Sequence, residues 1–140
     1  MGSQSDGDLV VLRKGVELCV LVSKACSSFP RSEIYGLADQ MKRAAVLIPS
    51  NIAEGQARQG LPEFCHFLPV AKGSVAELDT QRIIAEELGF VSKDASAALG
   101  GRIIELGKML YSLVARLKSS VRSAEPSQLG TPAINTKSKR

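Results

Sequence analysis

The stretch Ala44-Ala45-Val46-Leu47-Ile48-Pro49-Ser50-Asn51-Ile52-Ala53-Glu54-Gly55 decides the fold of this chain. Apolar side chains recur through it and before it at the 3–4 spacing of an α-helix, namely Ile34, Ala38, Met41, Ala45, Ile48 and Ile52. Pro49 interrupts this helix, because a proline removes a backbone donor and clashes with the preceding turn, at a cost of roughly 3 kcal/mol. Either two helices meet at Pro49 or one helix is kinked there. Since the apolar period continues through the proline, our fold prediction takes one helix kinked at Pro49.

Polar side chains follow Pro49, and a second polar group lies on a later apolar stripe. We predict that both groups form one structural motif where the second and third helices meet, made of Pro49, Ser50, Asn51, Glu54, Ser74, Glu77 and Gln81. If Glu54 and Glu77 lay close together, they could do acid–base chemistry. The same cluster could instead fix the register of the two helices through hydrogen bonds. No nucleophile paired with a base accompanies it, so we assign no catalytic residue.

Four segments have helical periodicity, and they cover residues 8–27, 33–58, 62–88 and 92–122. Ser32 and Ser92 precede two of them and are predicted N-caps. The connections near residues 30, 60 and 90 are short, which makes consecutive helices antiparallel neighbours. The sequence therefore predicts an all-α, up-down-up-down antiparallel four-helix bundle over residues 8–122. Residues 1–7 and the basic C-terminal tail, residues 123–140, have little apolar surface to bury and are predicted to be disordered.

The first helical segment is apolar on nearly every side. One stripe holds Leu9, Leu12, Val16, Cys19 and Cys26, and the remaining surface carries Val10, Val11, Leu18, Leu21, Val22 and Ala25. A helix of this kind needs cover on more than one side. In a small bundle the second cover is most simply another subunit, so we predict self-association.

Composition limits the classes of function. Hydrophobic residues make up 44% of the 140 residues, and no apolar run reaches the length of a membrane span. The first residues are polar and acidic, unlike a secretory signal, so we expect a soluble, cytoplasmic protein without a membrane partner. The three cysteines include no C-x-x-C pair, and His66 is the only histidine. We therefore expect buried thiols in a reducing compartment, no metal and no cofactor.

The positive charge is concentrated towards the end of the chain. Residues 102–140 contain eight basic and two acidic side chains, whereas residues 1–101 contain ten basic and twelve acidic ones. This asymmetry fits either a nucleic-acid footprint or a solvated helix face with a solubilising tail. A predicted patch at the helix-two to helix-three end, for nucleic-acid or partner contact, consists of Lys42, Arg43, Arg58 and Lys72. Its binding would be directed mainly at phosphates and would be sensitive to salt.

Two motifs resemble a known family. They are the run from Tyr35 to Gly55, with Lys42-Arg43-Ala44-Ala45 and Ile48-Pro49-Ser50-Asn51-Ile52-Ala53-Glu54-Gly55, and the run from Glu63 to Gln81. Together they are similar to the four-helix bundle proteins encoded in intervening sequences of bacterial large-subunit rRNA genes. That family also includes the accessory protein of diversity-generating retroelements, and the resemblance spans roughly residues 9–118.

The resemblance implies a bundle that assembles as a ring, with cyclic pentamers in known members, and no established enzymatic activity. Retroelement relatives bind a reverse transcriptase and nucleic acid, which points again to the four cations named above. We predict a non-catalytic, cytosolic, homo-oligomeric scaffold or accessory factor. The alternative is an RNA- or DNA-binding accessory protein that contacts phosphates through basic residues on the ring, with a nucleic-acid-processing protein as a further partner.

Overall fold

Four long α-helices account for most of the chain. The computed structural model describes residues 6–58 and 60–124, in which no strand occurs. The helices are α1 (Asp6–Cys26), α2 (Leu37–Ala57), α3 (Leu61–Glu87) and α4 (Lys93–Ala124), with a short 3-10 helix (Arg31–Glu33) before α2. The all-α prediction with four helices is confirmed. The predicted bundle, residues 8–122, was two residues too short at each end, because residues 6, 7, 123 and 124 are helical. The remaining residues of the two segments predicted to be disordered lie outside the described residues.

The helices pack in chain order, and α4 returns to α1. Between α1 and α4, Lys14 pairs with Glu105 at 3.5 Å and Glu17 pairs with Arg102 at 3.5 Å, so residue numbers rise on one helix as they fall on the other. Each helix therefore has two antiparallel neighbours around a common core. Among the largest fully buried side chains are Leu18, Met41, Ile48, Ile52, Phe64, Leu68, Leu78, Ile103, Leu106, Leu110 and Leu113.

The two predicted N-caps have different outcomes. Ser92 Oγ accepts a hydrogen bond from the Ala95 amide at 3.1 Å, as expected of an N-cap before α4. Ser32 was wrong, since it lies in the 3-10 helix and α2 begins only at Leu37. The carboxylate of Glu33 instead accepts from the Leu37 amide at 3.0 Å, so this side chain satisfies the first backbone donor of α2.

Helix α2 runs without interruption through Pro49. The alternative in which two separate helices meet at this residue is therefore wrong. The kink remains a prediction.

The sequence did not indicate which side of α1 is buried. In the structure the buried side carries Asp8, Val11, Gly15, Leu18, Val22 and Cys26. Of the apolar stripe noted in the sequence only Cys26 is buried, while Leu9 and Val16 are about half exposed. Because α1 is apolar on most sides, its composition did not identify the inward face. Two residues that no hydrophobic pattern would select, Asp8 and Gly15, lie there.

Candidate functional site

Pro49 lies against α1 and not against the polar residues of α3. A Cβ atom on Gly15 would be 3.2 Å from the Pro49 Cβ, so the two helices approach closely at this point. Both residues are buried. Glycine in α1 thus leaves room for the proline ring of α2, which contributes to the register of the α1–α2 pair.

The thiol of Cys19 supplies the donor that Pro49 lacks. In an α-helix the amide of residue 49 would donate to the carbonyl of Ala45, but proline has no N–H. Cys19 Sγ donates to the Ala45 carbonyl oxygen at 3.1 Å. Burial raises the pKa of the Cys19 thiol, so the donated proton is retained at neutral pH. A side chain of α1 thereby satisfies a carbonyl left open in α2.

The polar residues that follow Pro49 serve α2 itself. Asn51 Nδ2 donates to the Leu47 carbonyl oxygen at 2.7 Å, one turn back in the same helix. Glu54 forms an ion pair with Arg58 at 2.6 Å on the surface, and Ser50 is exposed. None of these contacts reaches α3.

The predicted polar residues of α3 form a separate group. Ser74 and Gln81 are buried, whereas Glu77 is exposed. Gln81 Nε2 donates to Glu77 Oε2 at 3.3 Å, and the other amide atom, Oε1, has no hydrogen-bond partner among the described residues. The motif predicted as one unit is thus divided between α1–α2 contacts, α2 itself and α3.

The carboxylates of Glu54 and Glu77 are not brought together. A Cβ on Gly55 would touch the side chains of Phe64 and Phe67, which places the end of α2 beside the start of α3. Glu77 lies about eleven residues further along α3 than this level, or roughly 16 Å at the rise of an α-helix. A shared acid–base site of these two residues therefore does not form.

The four predicted contact cations are spread along the bundle. Lys42 and Arg58 are sixteen positions apart on α2 and its C-cap, which corresponds to roughly 24 Å. Arg43 pairs with Asp39 at 3.0 Å, in the same way that Arg58 pairs with Glu54. The set does not form one patch at the α2–α3 end, and two of its members already have carboxylate partners.

Lys72 belongs to a different surface. Its ammonium group lies 5.3 Å from the centre of the Tyr111 ring of α4. Three further cations, Lys108, Lys118 and Arg122, share the Tyr111 face of α4 at 3–4 spacing and are exposed. None of the three forms an ion pair within residues 6–58 and 60–124. Sequence reasoning placed excess charge in this helix but did not select these residues.

Arg82 is a second feature that sequence reasoning missed. Its side chain is only 14% exposed, and Nε donates to Asp79 Oδ1 at 2.9 Å. Its Nη1 atom donates to Oγ of the fully buried Ser96 at 2.9 Å, so the guanidinium joins α3 to the first turns of α4. Gly100 provides the space, because a Cβ there would lie 2.9 Å from Arg82 Cζ. The Gly100-Gly101 pair was the sequence feature that could have indicated this contact, because paired glycines in a helix also mark a close approach of another element.

The cysteines are free thiols held in their neutral form. Burial raises the pKa of Cys26 and of Cys65, and in each case a nearby lysine opposes the shift only in part. A neutral thiol is a poor nucleophile and a poor metal ligand. Over residues 6–58 and 60–124, no group of three His, Cys, Asp or Glu side chains is arranged to hold a metal ion.

None of the helices in the described part of the chain is both long enough and apolar enough to cross a membrane.

Comparison with known proteins agrees with this architecture. A protein of unknown function from the S23 ribosomal protein family of Bacteroides thetaiotaomicron VPI-5482 is similar in structure, with a TM-score of 0.71. It has 20% sequence identity, and the match covers 78% of this chain and 98% of that one, so the likeness concerns the fold alone. Comparison with curated proteins finds no significant match.

The family model described as 23S rRNA-intervening sequence protein matches residues 7–112, from the first turn of α1 into the second half of α4. This match confirms the resemblance carried by the two motifs around Pro49 and Glu77. The chain belongs to the 23S rRNA-intervening sequence protein family.

Proposed function

We propose that this protein is a non-catalytic, cytosolic scaffold or accessory factor that works as a cyclic homo-oligomer, with the pentamer as the ring size implied by family resemblance. The observation that carries the proposal is a row of uncovered apolar side chains on α1. Leu9 is 46% exposed, and Val16 and Val20 are each 49% exposed. The separated carboxylates and the protonated thiols support a role without catalysis.

The uncovered row continues onto α2. The hydrogen bond from Cys19 to Ala45 sets α1 and α2 side by side, and Val46, which follows Ala45, is 52% exposed. Val46 thus lies near Val16 and Val20 on the outer side of the pair. Single exposed apolar residues are normal on a soluble protein, whereas a contiguous group marks an interaction surface. We call these four residues (Leu9, Val16, Val20 and Val46) the α1–α2 face.

Light scattering coupled to size exclusion at micromolar concentration tests the assembly. We expect an oligomer for the wild type and a monomer for the Val16→Asp/Val20→Asp variant, because burying two carboxylates in an apolar interface is unfavourable. Leu88→Asp is the matched control, since Leu88 is also exposed and apolar but lies at the end of α3. A wild-type monomer at this concentration would overturn the proposal.

The second candidate function is nucleic-acid binding, and it is favoured by the cations of α4 that form no ion pair with any described residue. We call Lys108, Lys118 and Arg122 the α4 cations. Cyclic symmetry would place this stretch of every copy at the same end of a ring, which multiplies the charge offered to a polyanion. Tyr111, on the same face, offers one aromatic ring on which a base could stack.

Titration of a fluorescent single-stranded RNA at several salt concentrations tests this candidate. We expect affinity to fall as salt rises, with a shallower slope for Lys108→Gln/Lys118→Gln/Arg122→Gln, because fewer counterions are released. The matched control removes the same charge elsewhere, in Lys42→Gln/Arg43→Gln/Arg58→Gln. If the control changes the slope more than the α4 variant does, the contact lies on α2. Binding that is absent at low salt, or unaffected by salt, would contradict both sites.

A further inference from the structure

We propose that the cavity between the end of α1 and the start of α2 binds a small organic anion. The flat apolar body of the ligand lies on the cavity wall, and its phosphate or carboxylate group contacts Arg31 and Lys42. This site shares no residue with the α1–α2 face and does not depend on assembly. We call it the end cavity.

The end cavity has the size of a small-molecule site. Its volume is about 430 Å³, which lies within the range of roughly 300–1,000 Å³ that is usual for ligand pockets. It is bounded by the last residue of α1, by the turn that contains the 3-10 helix, and by the first two turns of α2. The side chains that line it include Cys26, Phe29, Arg31, Ile34, Ala38 and Lys42.

The walls of the end cavity are held in place by contacts within the chain. The Phe29 amide donates to the Cys26 carbonyl oxygen at 3.1 Å, and the Phe29 ring centre lies 5.4 Å from that of Phe90 in the α3–α4 connection. The hydrogen bond from the Leu37 amide to Glu33 joins the 3-10 helix to α2. A wall that is already ordered loses little conformational entropy when a ligand binds, which favours affinity.

The lining of the end cavity carries positive charge without a carboxylate partner. Arg31 and Lys42 are exposed, and neither forms an ion pair within residues 6–58 and 60–124. No described Asp or Glu lines the cavity. The acidic side chains nearest in sequence have other partners, since Glu33 accepts from an amide of α2 and Asp39 pairs with Arg43. Two such cations on one cavity are complementary to a phosphate or a carboxylate.

The floor of the end cavity is uncharged. Ala38 is 3% exposed and Cys26 is 5% exposed. Cys26 Sγ donates to the Ala38 carbonyl oxygen at 3.8 Å. Burial raises the pKa of this thiol, although the ammonium group of Lys42 acts in the opposite direction. The thiol therefore remains neutral and does not compensate the charge of Lys42, so the negative charge has to come from the ligand.

Two side chains offer a surface to the apolar part of the ligand. Ile34 is 51% exposed, and Phe29 is partly buried with one side on the cavity. Covering such side chains stabilises a complex by about 25 cal/mol per Å² of apolar surface. A flat ring can also stack on the Phe29 ring or on the guanidinium of Arg31. A ligand with both an apolar body and an anionic group should therefore bind more tightly than either part alone.

A cavity of similar size between α1 and α4 differs in its charge. Its volume is about 440 Å³, and Lys24 and Arg102 are among its lining residues. Arg102 is paired with Glu17 at 3.5 Å, so this cavity has fewer cations available for an anion. Lys24 provides a matched control, because it is an exposed lysine in the last turn of α1 that does not line the end cavity.

Isothermal titration calorimetry of the full chain with 1-naphthyl phosphate tests the site. We expect saturable binding, which is weaker for 1-naphthol, because it lacks the charge, and for inorganic phosphate, because it lacks the rings. Arg31→Gln/Lys42→Gln should lower the affinity for 1-naphthyl phosphate by roughly tenfold or more, and Lys24→Gln should leave it unchanged. Binding of 1-naphthoate in place of 1-naphthyl phosphate would equally support the site and would assign a carboxylate as the anionic group.

Three results would overturn the proposal. They are no saturable binding of either naphthyl anion, equal affinity for 1-naphthol, and equal losses in the Lys24 variant and the Arg31/Lys42 variant. Light scattering on the same variants measures assembly separately, so a failure to bind leaves the proposed function standing.

Nuclear magnetic resonance of the methyl-labelled wild type locates the probe without any substitution. We expect 1-naphthyl phosphate to shift the methyl resonances of Ile34 and to leave those of Ile104 in place, although Ile104 is similarly exposed at 53% on α4. Shifts at Ile104 without shifts at Ile34 would place the ligand elsewhere and overturn the site.

Discussion

Gly100 and Gly101 are neighbours in sequence whose surroundings differ. A Cβ on Gly100 would lie 2.9 Å from Arg82 Cζ, whereas no atom lies within 4 Å of the corresponding position on Gly101. The guanidinium beside Gly100 is held in place by Asp79 and Ser96, so it is not free to swing away. Only the first of the two glycines is required by packing.

The same substitution should therefore have opposite effects at these two positions. We expect Gly101→Ala to raise the free energy of unfolding by up to about 1 kcal/mol, because alanine is the better helix former. We expect Gly100→Ala to lower it by about 1–3 kcal/mol, because the added methyl group displaces Arg82 from Ser96. Urea denaturation of both variants measures the difference. Equal effects of the two substitutions would contradict the packing role of Gly100.

Contacts of single residues could be predicted from the sequence when they depend on nearby residues in the chain. Ser92 could be identified because an N-cap bonds three residues ahead. The contact of Arg82 with Ser96 could not, because it joins two helices across a turn and depends on the angle at which they pack. The glycine pair was visible in the sequence, but it reads equally as a weak point in α4 or as a site of close approach.

Helix α2 tolerates a proline because α1 compensates for it. Gly15 leaves room for the ring, and the Cys19 thiol donates to the carbonyl of Ala45 that Pro49 leaves without a partner. These contacts belong to two adjacent helices, and neither would be useful without the proline. Pro49 and Cys19 should therefore be energetically coupled.

A double-mutant cycle measures this coupling. Cys19→Ala should destabilise the wild type both by lost packing and by leaving the Ala45 carbonyl without a donor. In the background of Pro49→Ala the backbone amide returns, so only the packing loss remains. We expect the cost of Cys19→Ala to be smaller there by about 0.5–1.5 kcal/mol, the usual net value of a hydrogen bond. Additive free energies of unfolding would show that the thiol contact contributes nothing.

The sequence predicted α2 well and its partner at Pro49 poorly. The apolar period through Ile48 and Ile52 determines the helix without reference to the rest of the chain. Which helix lies against Pro49 is a matter of tertiary register, and polar residues after it suggested α3. Those residues instead bond within α2, as Asn51 does to Leu47.

At the scale of the whole molecule, part of the charged surface could be predicted from the sequence. The pairs Asp39–Arg43 and Glu54–Arg58 have the i, i+4 spacing of helical ion pairs, and this spacing could have removed both arginines from the predicted contact set. The concentration of charge in α4 was seen in the sequence. The cations of α4 that lack an ion pair within the described part of the chain could be identified only once the neighbours of α4 were known.

The three thiols, of which Cys26 is buried and Cys19 and Cys65 are partly buried, should make the molecule less stable in alkali. Burial raises the pKa of Cys19, Cys26 and Cys65 in the folded protein, while thiols of the unfolded chain ionise near pH ~8.5. Above that pH the unfolded chain binds fewer protons than the folded one, so the free energy of unfolding falls as pH rises towards the folded pKa values. Below it the thiols have no such effect.

Urea denaturation from pH 7 to pH 10 measures this dependence. We expect Cys19→Ala/Cys26→Ala/Cys65→Ala to start less stable than the wild type at pH 7 and to lose less stability by pH 10. Parallel curves for the two proteins would show that the thiols do not contribute.

The order in which the helices pack in the bundle also affects how the chain folds. Three of the four helix pairings join consecutive helices, so most contacts close short loops, and the resulting low contact order is typical of domains that fold in microseconds to milliseconds. The exception is the pairing of α1 with α4, in which the ion pair between Asp8 and Arg116 spans 108 residues. Closing that pair carries the largest loop entropy in the bundle. The packing of α1 on α4 is therefore the step on which topology imposes the greatest delay.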